Sequence, residues 1–488
     1  MPRPLSRRVR RWWRRPGGAQ AVLRIALPLV IQTGFWSVLW FIDRMFLSWY
    51  SPQESLPAAL PGGMFYWTLL CLPQGIASFV STFVAQYEGA GQRGQIGRAV
   101  QHGIWFGWLT VPMFLAAAAL AEGLGHSLAR DHSGVAQQGV HYFQTLCLGG
   151  GAVVIVAAQA SFFIGRGQTW VVMLVDVLGS LLNILLDWVL IFGKLGLPTL
   201  GIAGAGLATS LANWAMVGVY WLWMQQPHLR QTYGLGQASW DARLAGRMLR
   251  YGLPSGLPQL IEALGYSLLV AQVAASGALG AAATALAFNI NAVAFVPLVG
   301  LSMAVATLVG QSLGAGRPQQ AWRATWTAVQ LGLGYTACWA VLYLTVPDQF
   351  LTLHQRYASP ETFAPVRALT VQLLRLVALY CLFDALQIVL VGALRGAGDT
   401  RFILVAASSL TTLAIAAGSL GQHLGRWREN GWALWGWWWV MTLWIVLLAA
   451  VYLARFLQGR WQSMRVIEPE LVAPSEPVAP VPASQPES

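Results

Sequence analysis

Twelve apolar stretches run through the chain, at about 23–49, 57–86, 99–121, 140–165, 170–193, 200–225, 250–276, 282–312, 323–347, 365–394, 401–420 and 431–458. About 20 predominantly apolar residues suffice for a helix to cross the hydrocarbon core of a bilayer. Twelve such runs in 488 residues leave little chain for anything else. The expected fold class is an all-α polytopic membrane protein, with the lipid bilayer as its surroundings. Composition agrees, with 56% hydrophobic and only 10% charged residues against about a quarter charged in a soluble domain. A soluble globular enzyme, a disordered chain and a nucleic-acid-binding domain are excluded. The net charge of +12 does not restore nucleic acid as a partner. Only Lys194 is lysine, and the arginines lie between apolar runs rather than along one face.

Those arginines give an orientation. Residues 1–15 hold seven of them and no acid. The apolar run that follows is too long for a signal peptide, whose apolar region spans about 7–15 residues, so it reads as an uncleaved first helix. Alternating the connections places 21 basic residues on the side of the amino terminus and 6 on the other. By the positive-inside rule both termini are expected in the cytoplasm. The expected location is a bacterial inner membrane, with a monomer as the expected state. From about Glu468 the chain is rich in Pro, Glu, Ser and Ala and is expected to be disordered, with the tail set at 466–488.

The chain repeats itself. Ser81–Val100 and Ala306–Thr325 align at an offset of 225, with nine of twenty positions identical, Gln86/Gln311, Gly89/Gly314 and Gly91/Gly316 among them. Leu27–Pro28 matches Leu253–Pro254, and Arg166-Gly-Gln-Thr169 has a counterpart in Arg395-Gly-Ala-Gly-Asp-Thr400. Two halves of six helices each follow. The divisions are an Arg-rich amino terminus (1–22), a first lobe (23–226), an inter-lobe linker (227–249) and a second lobe (250–465). An even number of helices gives both halves the same orientation, and such parallel repeats are a transporter architecture with the substrate path between lobes.

Motifs of soluble chemistry do not hold up. Gly89-Ala-Gly91-Gln-Arg-Gly94 fits a dinucleotide fingerprint, but it follows a membrane helix rather than a strand, and a left-handed helix cap explains it. No P-loop and no His-Glu-x-x-His occur. Gly396-Ala-Gly398-Asp399 resembles an intramembrane aspartyl-protease signature, yet Asp399 falls at a helix end between Arg395 and Arg401, where a loop salt bridge is expected. No enzyme and no cofactor are read. The four cysteines are scattered through apolar stretches and read as packing residues. The run Trp432–Trp439 reads as an interfacial aromatic belt.

The informative residues are acids within the apolar runs, since a charge at the bilayer centre costs about 2.5–3.5 kcal/mol on insertion scales. Asp176, Asn183 and Asp187 are spaced 7 and 4 apart and share one helix face. Asp43, Asp187 and Thr209 fall at similar depths toward the outer side, so with Asn183 they can converge. Asp176 lies deeper. In the second half Glu262 and Asp384 match in depth near mid-membrane, with Tyr380 one turn from Asp384. The alternative is that each acid pairs with a buried arginine or caps a kink. Arg44 is next to Asp43, but adjacent helix residues diverge by about 100°, so it is expected to snorkel or to contact another helix.

Together these residues resemble the multidrug and toxic compound extrusion (MATE) family over about residues 20–460. The matching elements are Leu27–Pro28 with Asp43, Thr82-x-x-x-Gln86-x-x-Gly89-Ala-Gly91, Asn183-x-x-x-Asp187 with Ile191-Phe-Gly193, and Gly204-Ala-Gly-Leu-Ala-Thr209. The second half adds Gly252-Leu-Pro254 with Glu262, Asp384, and Leu394-Arg-Gly-Ala-Gly-Asp-Thr400. The resemblance implies a V-shaped twelve-helix antiporter that exports cationic or amphipathic small molecules in exchange for inward H⁺ or Na⁺. It implies a cation site, Na⁺ included, at Asp43, Asn183, Asp187 and Thr209. It implies a second site at Glu262, Tyr380 and Asp384, and a bend at Pro28. Arg44 departs from the pattern, where the family often has a small hydroxyl residue. A lipid-linked oligosaccharide flippase of the same superfamily is the alternative, but a pyrophosphate-handling cavity should be cationic, and the clustered acids argue against it.

Overall fold

The computed structural model describes residues 12–468 apart from 52, 129–133, 237–238, 276, 356–359, 424–426 and 428–431. The first half contains α1 (Ala19–Tyr50), α2 (Ser55–Ser78), α3 (Val80–Gly89), α4 (Arg93–Leu128), α5 (Gly134–Gly165), α6 (Thr169–Phe192) and α7 (Gly201–Met224). A short helix, α8 (Pro227–Tyr233), leads into the second half. There follow α9 (Ala242–Ala275), α10 (Ala278–Gly314), α11 (Pro318–Thr345), α12 (Pro347–Gln355), α13 (Pro360–Ala397), α14 (Thr400–His423) and α15 (Ala433–Leu457). A 3-10 turn closes the series at Arg460–Ser463. Twelve of the described segments are long and apolar enough to cross a membrane, with α2 and α3 together forming one.

Several helices run past their apolar cores. α4 starts at Arg93 and α9 at Ala242, six to eight residues before the hydrophobic stretches begin. Arginine is a good helix former, so the change in polarity at the membrane surface does not end the helix. The ends come at left-handed glycines instead. Gly91 and Gly316, the repeat-related pair, have φ of +75° and +69° and turn the chain after α3 and α10.

α5 is central to the first lobe, packed against α2, α4 and α7, and α13 occupies the same place in the second, against α10, α11 and α15. Small residues let membrane helices approach closely. A methyl group at Gly150 would come within 2.4 Å of the Phe114 ring, and one at Gly149 within 2.6 Å of Ser210.

The two lobes meet through α1 with α10, α2 with α9, and α3 with α10. The contacts obey the repeat. Gly75 of α2 abuts Gly256 of α9, and Gly300 of α10 abuts Val30 of α1. At the arginine-rich end the exchange is reciprocal. Gly89 lies against the Gln311 carbonyl, and Gly314 lies against that of Gln86. Gln86 Nε2 donates to the Gly396 carbonyl at 3.1 Å, and Gln311 Nε2 donates to that of Gly165 at 2.8 Å. Each half thus grips the backbone beside the other's Arg-Gly turn.

The carboxy-terminal segment joins this seam. Val466 N donates to Gln86 Oε1 at 2.8 Å, Val466 and Ile467 are buried, and Arg247 pairs with Glu468 at 3.3 Å. The expected tail therefore starts later than 466, because two apolar side chains and one amide still find partners. Residues 469–488 lie outside the described residues.

Candidate ion and substrate sites

The face of α6 predicted to carry Asp176, Asn183 and Asp187 is turned inward, and all three are buried. α1 brings Asp43 to Asp187, and the two carboxyls lie within hydrogen-bonding reach of each other. Asn183 links this pair to α7. Its amide nitrogen donates to Asp187 Oδ2 at 3.0 Å, while its oxygen accepts from Thr209 N at 3.0 Å and Thr209 Oγ1 at 3.2 Å. The reverse orientation would set the amide oxygen against the carboxylate. Thr209 Oγ1 also lies 3.1 Å from the Ala205 carbonyl. One oxygen each of Asp43 and Asp187 remains without a partner. All four residues expected to converge do so. Arg44 is exposed, as expected of a snorkelling side chain.

Two carboxylates in contact, away from water, repel strongly unless a cation lies between them. A shared proton is one such cation. A sodium ion is another, and the carboxylate, amide and hydroxyl oxygens of these four residues are the hard donors it takes. No group of three His, Cys, Asp or Glu side chains that could hold a metal occurs among the described residues.

Asp176 is at a separate place on the same helix. Gln32 Nε2 donates to its Oδ2, and Tyr220 Oη donates to its Oδ1 at 3.4 Å. Pro28 lies one turn before Gln32 within an unbroken α1. The proline leaves the Arg24 carbonyl without its intrahelical donor. In the same turn, Thr169 Oγ1 of α6 donates to the Ile25 carbonyl at 2.9 Å.

In the second lobe Glu262 of α9 is within electrostatic reach of Asp384 of α13. Asp384 Oδ1 accepts from Gln387 Nε2 at 3.1 Å, and Tyr380 Oη accepts from Asn291 Nδ2 at 3.3 Å. Tyr380 is close to Asp384 in turn. The structure brings these residues together, without the direct carboxyl contact of the first lobe.

A cavity of about 300 Å³ opens between the lobes. Gln32, Trp36 and Trp40 reach it from α1, Trp67 from α2, and Asp176, Asn183 and Thr209 from the far side of the first lobe. Arg395 lines it from the second lobe, its Nη2 3.5 Å from the Gly75 carbonyl. Sequence reasoning missed Gln32, Arg395 and the three tryptophans as lining residues, and Tyr220 as a partner of Asp176. The available signal was Gln32, Trp36 and Trp40 at a spacing of four, a polar-aromatic stripe one turn past a helical proline.

Three expectations need correction. Asp399 does pair with an arginine, but its partner is Arg455 of α15, bound through Nε at 2.7 Å and Nη2 at 3.2 Å, and not Arg395 or Arg401. Arg395 is drawn to the cavity instead. The tryptophan run is a belt only at its ends. Trp432 and Trp439 are exposed, whereas Trp437 and Trp438 are buried, with Trp438 Nε1 donating to Thr284 Oγ1 at 3.0 Å. Helical rotation turns the middle of the run into the core. Three cysteines pack as expected, and Cys338 is exposed.

Comparison with known proteins bears on this geometry. The MatE family model matches residues 28–189 and 254–418, one match in each half. The multidrug resistance protein PmpM of Pseudomonas aeruginosa is 27% identical over 398 residues, covering 79% of this chain and 80% of that protein. A MOP superfamily transporter from Pyrococcus furiosus superposes with a TM-score of 0.80 at 21% identity, over 91% of this chain and 95% of that one. The eukaryotic MATE transporter AtDTX14 superposes with a TM-score of 0.76 at 22% identity, over 91% and 96%.

Proposed function

Since the chain belongs to the MatE family of multidrug and toxic compound extrusion transporters, we propose that it is a secondary antiporter exporting cationic or amphipathic small molecules. The exchanged ion is H⁺ or Na⁺, moving inward. The observation that carries this reading is the close approach of the Asp43 and Asp187 carboxyls, steadied by Asn183 and Thr209. A carboxyl pair of this kind holds one small cation, and losing that cation leaves a repulsion that a helix movement can relieve. Pro28 lies on the helix that would move.

The state described here is closed at the arginine-rich end, which the positive-inside rule assigns to the cytoplasm. Each lobe's glutamine holds the other lobe's backbone there. Alternating access would break this latch while leaving the lobes intact. The flippase alternative is disfavoured, because Asp176 faces the cavity and Arg395 is its one basic side chain among the described lining residues.

Energetics limit the coupling. Moving a monovalent cation outward against 100 mV costs about 2.3 kcal/mol. A hundredfold outward gradient adds about 2.7 kcal/mol. One inward monovalent ion returns the electrical part and must supply the rest from its own gradient. The test is purified protein in liposomes with a fluorescent cation and no ATP. Uptake against the gradient on imposing a pH or sodium gradient is expected. Uptake that follows neither gradient overturns the reading.

A further inference from the structure

We infer that Asp176 is the counter-ion for the charged end of an aromatic monocation bound in the inter-lobe cavity, separate from the Asp43–Asp187 pair that serves the coupling ion. The inference rests on the antiporter reading and assigns the substrate's own binding residue within it. Asp176 is seven residues before Asn183 on α6, about 10 Å along the axis. It touches no second acid. Its two oxygens take one donor each, from Gln32 and Tyr220. A lone carboxyl with only neutral donors beside it has no cation of its own and leaves the place of one to a ligand, whereas a carboxyl pair is already occupied by its own cation.

The surroundings select the ligand. Gln32, Trp36 and Trp40 form one stripe on α1 leading outward from Asp176, and Trp67 faces them from α2. An aromatic cation between such rings gains stacking area and cation–π attraction, which desolvation strengthens. Gln32 is 5% exposed, and its Oε1 has no partner, so a further donor on the ligand has an acceptor ready beside Asp176. Arg395 lines the cavity from the second lobe. A positive group is repelled from that wall and attracted to α6, so the ligand binds in one orientation, charge toward the first lobe. A cavity of about 300 Å³ is at the lower end of small-molecule sites, which suits a compact aromatic ion.

The experiment is equilibrium binding to the purified full-length protein, read by quenching of tryptophan fluorescence. The probes are 1-methyl-4-phenylpyridinium, a compact aromatic ion charged at one end, and its neutral isostere 4-methylbiphenyl. Wild type is expected to prefer the cation. Asp176→Asn should raise the cation's Kd about tenfold or more and leave that of the neutral probe unchanged, while Asp176→Glu keeps the preference. Gln32→Lys sets an ammonium against the same carboxyl and should abolish the preference in the same way, which covers an Asp176→Asn protein that does not fold. A cation Kd within twofold of wild type in both neutralising variants overturns the inference. Equal weakening of both probes does so too, because it marks a structural role. Asp187→Asn should bind the cation normally and lose gradient-driven export. If Asp187→Asn behaves so while Asp176→Asn binds normally, this inference fails and the antiporter reading stands.

Discussion

The two lobes are related by a repeat, yet they treat their buried acids differently. In the first, Asp43 and Asp187 touch, and Asn183 and Thr209 fix their geometry. In the second, Glu262 and Asp384 sense each other, while Gln387 donates to one and Asn291 occupies the neighbouring tyrosine. Contact makes the first pair obligatory in its need for a cation. Separation lets the second respond to charge without being locked by it. The scaffold is shared, and the carboxyl contact is confined to one side of it.

The largest effect expected follows from that asymmetry. Asp187→Asn keeps the shape of the cluster and removes the charge that demands a cation. Gradient-driven export in liposomes should fall to the leak of protein-free vesicles, with the protein folded and inserted. Asp384→Asn should lower export by about tenfold, the equivalent of about 1.4 kcal/mol, and keep its ion dependence. The reverse order of severity would place the coupling in the second lobe and break the comparison.

The seam tests where the halves are equivalent. A methyl group at Gly89 or at Gly314 would come 2.0 Å from the carbonyl oxygen of Gln311 or Gln86. Gly89→Val and Gly314→Val should therefore be alike. Overpacking of this kind costs about 1–3 kcal/mol, taken from the closed arrangement of the arginine-rich end. Inter-lobe distances at that end, measured between spin labels, should lengthen in both variants. Lengthening in only one would show that the latch is not shared equally. The strap from Val466 to Gln86 is the element that could cause such a difference.

The two Arg-Gly turns differ in one force. Arg455 lies 4.7 Å over the Phe402 ring and in addition holds Asp399 as a buried bidentate pair. Arg166 stacks over Phe162 at 4.4 Å and Tyr233 at 4.0 Å with no ion pair among the described residues. Removing one partner of a buried pair strands the other and costs about 3–5 kcal/mol. A cation–π contact is worth about 0.5–2 kcal/mol. Arg455→Met should lower the thermal midpoint in detergent clearly more than Arg166→Met. Equal shifts would mean that stacking and pairing are interchangeable here.

How much of this was legible in the sequence depends on the range of the signal. The helices and the repeat are written in local patterns, apolar length and the Gln-x-x-Gly-Ala-Gly element, so they are readable. So is the first-lobe cluster, because Asn183 and Asp187 share a helix face and depth restricts what Asp43 and Thr209 can reach. The partner of Asp399 was not readable. Arg395 and Arg401 are near in sequence, but Arg455 arrives from a helix 56 residues on, and neither spacing nor depth discriminates among three arginines at one membrane surface. The cavity was hidden for the same reason. Gln32 and Trp36 declare a stripe on α1, but only packing shows that Asp176 lies across from it. The tryptophan run shows the opposite error, since a compositional reading ignored the 100° steps that bury Trp437 and Trp438.

The smallest effect concerns how each half begins. α1 follows Gly18, which offers no side-chain cap. α9, which carries the repeat-related proline Pro254, follows Asp241, whose Oδ1 accepts from Arg243 N at 2.9 Å and Leu244 N at 3.2 Å. His102 of α4 also meets this residue, its Nε2 accepting from Asp241 N at 3.0 Å. The backbone donors, that of Leu244 foremost, pull the Asp241 carboxyl below its ordinary value of 3.8. A depressed carboxyl contributes stability that is fully present above its unfolded-state pKa and is lost as pH falls through the folded one. Between pH 8 and 5 the Asp241 carboxyl therefore stays charged, and below about pH 4 its contribution fades. Asp241→Ala should cost about 0.5–2 kcal/mol at neutral pH, the range for losing such a cap, and Asp241→Asn, which caps without a titrating charge, much less. Acid titration of thermal stability should separate them, with the gap between wild type and Asp241→Ala closing below pH 4. A gap that persists there would assign the loss to the hydrogen bonds that a protonated cap still accepts from Arg243 N and Leu244 N rather than to the charge at the helix start.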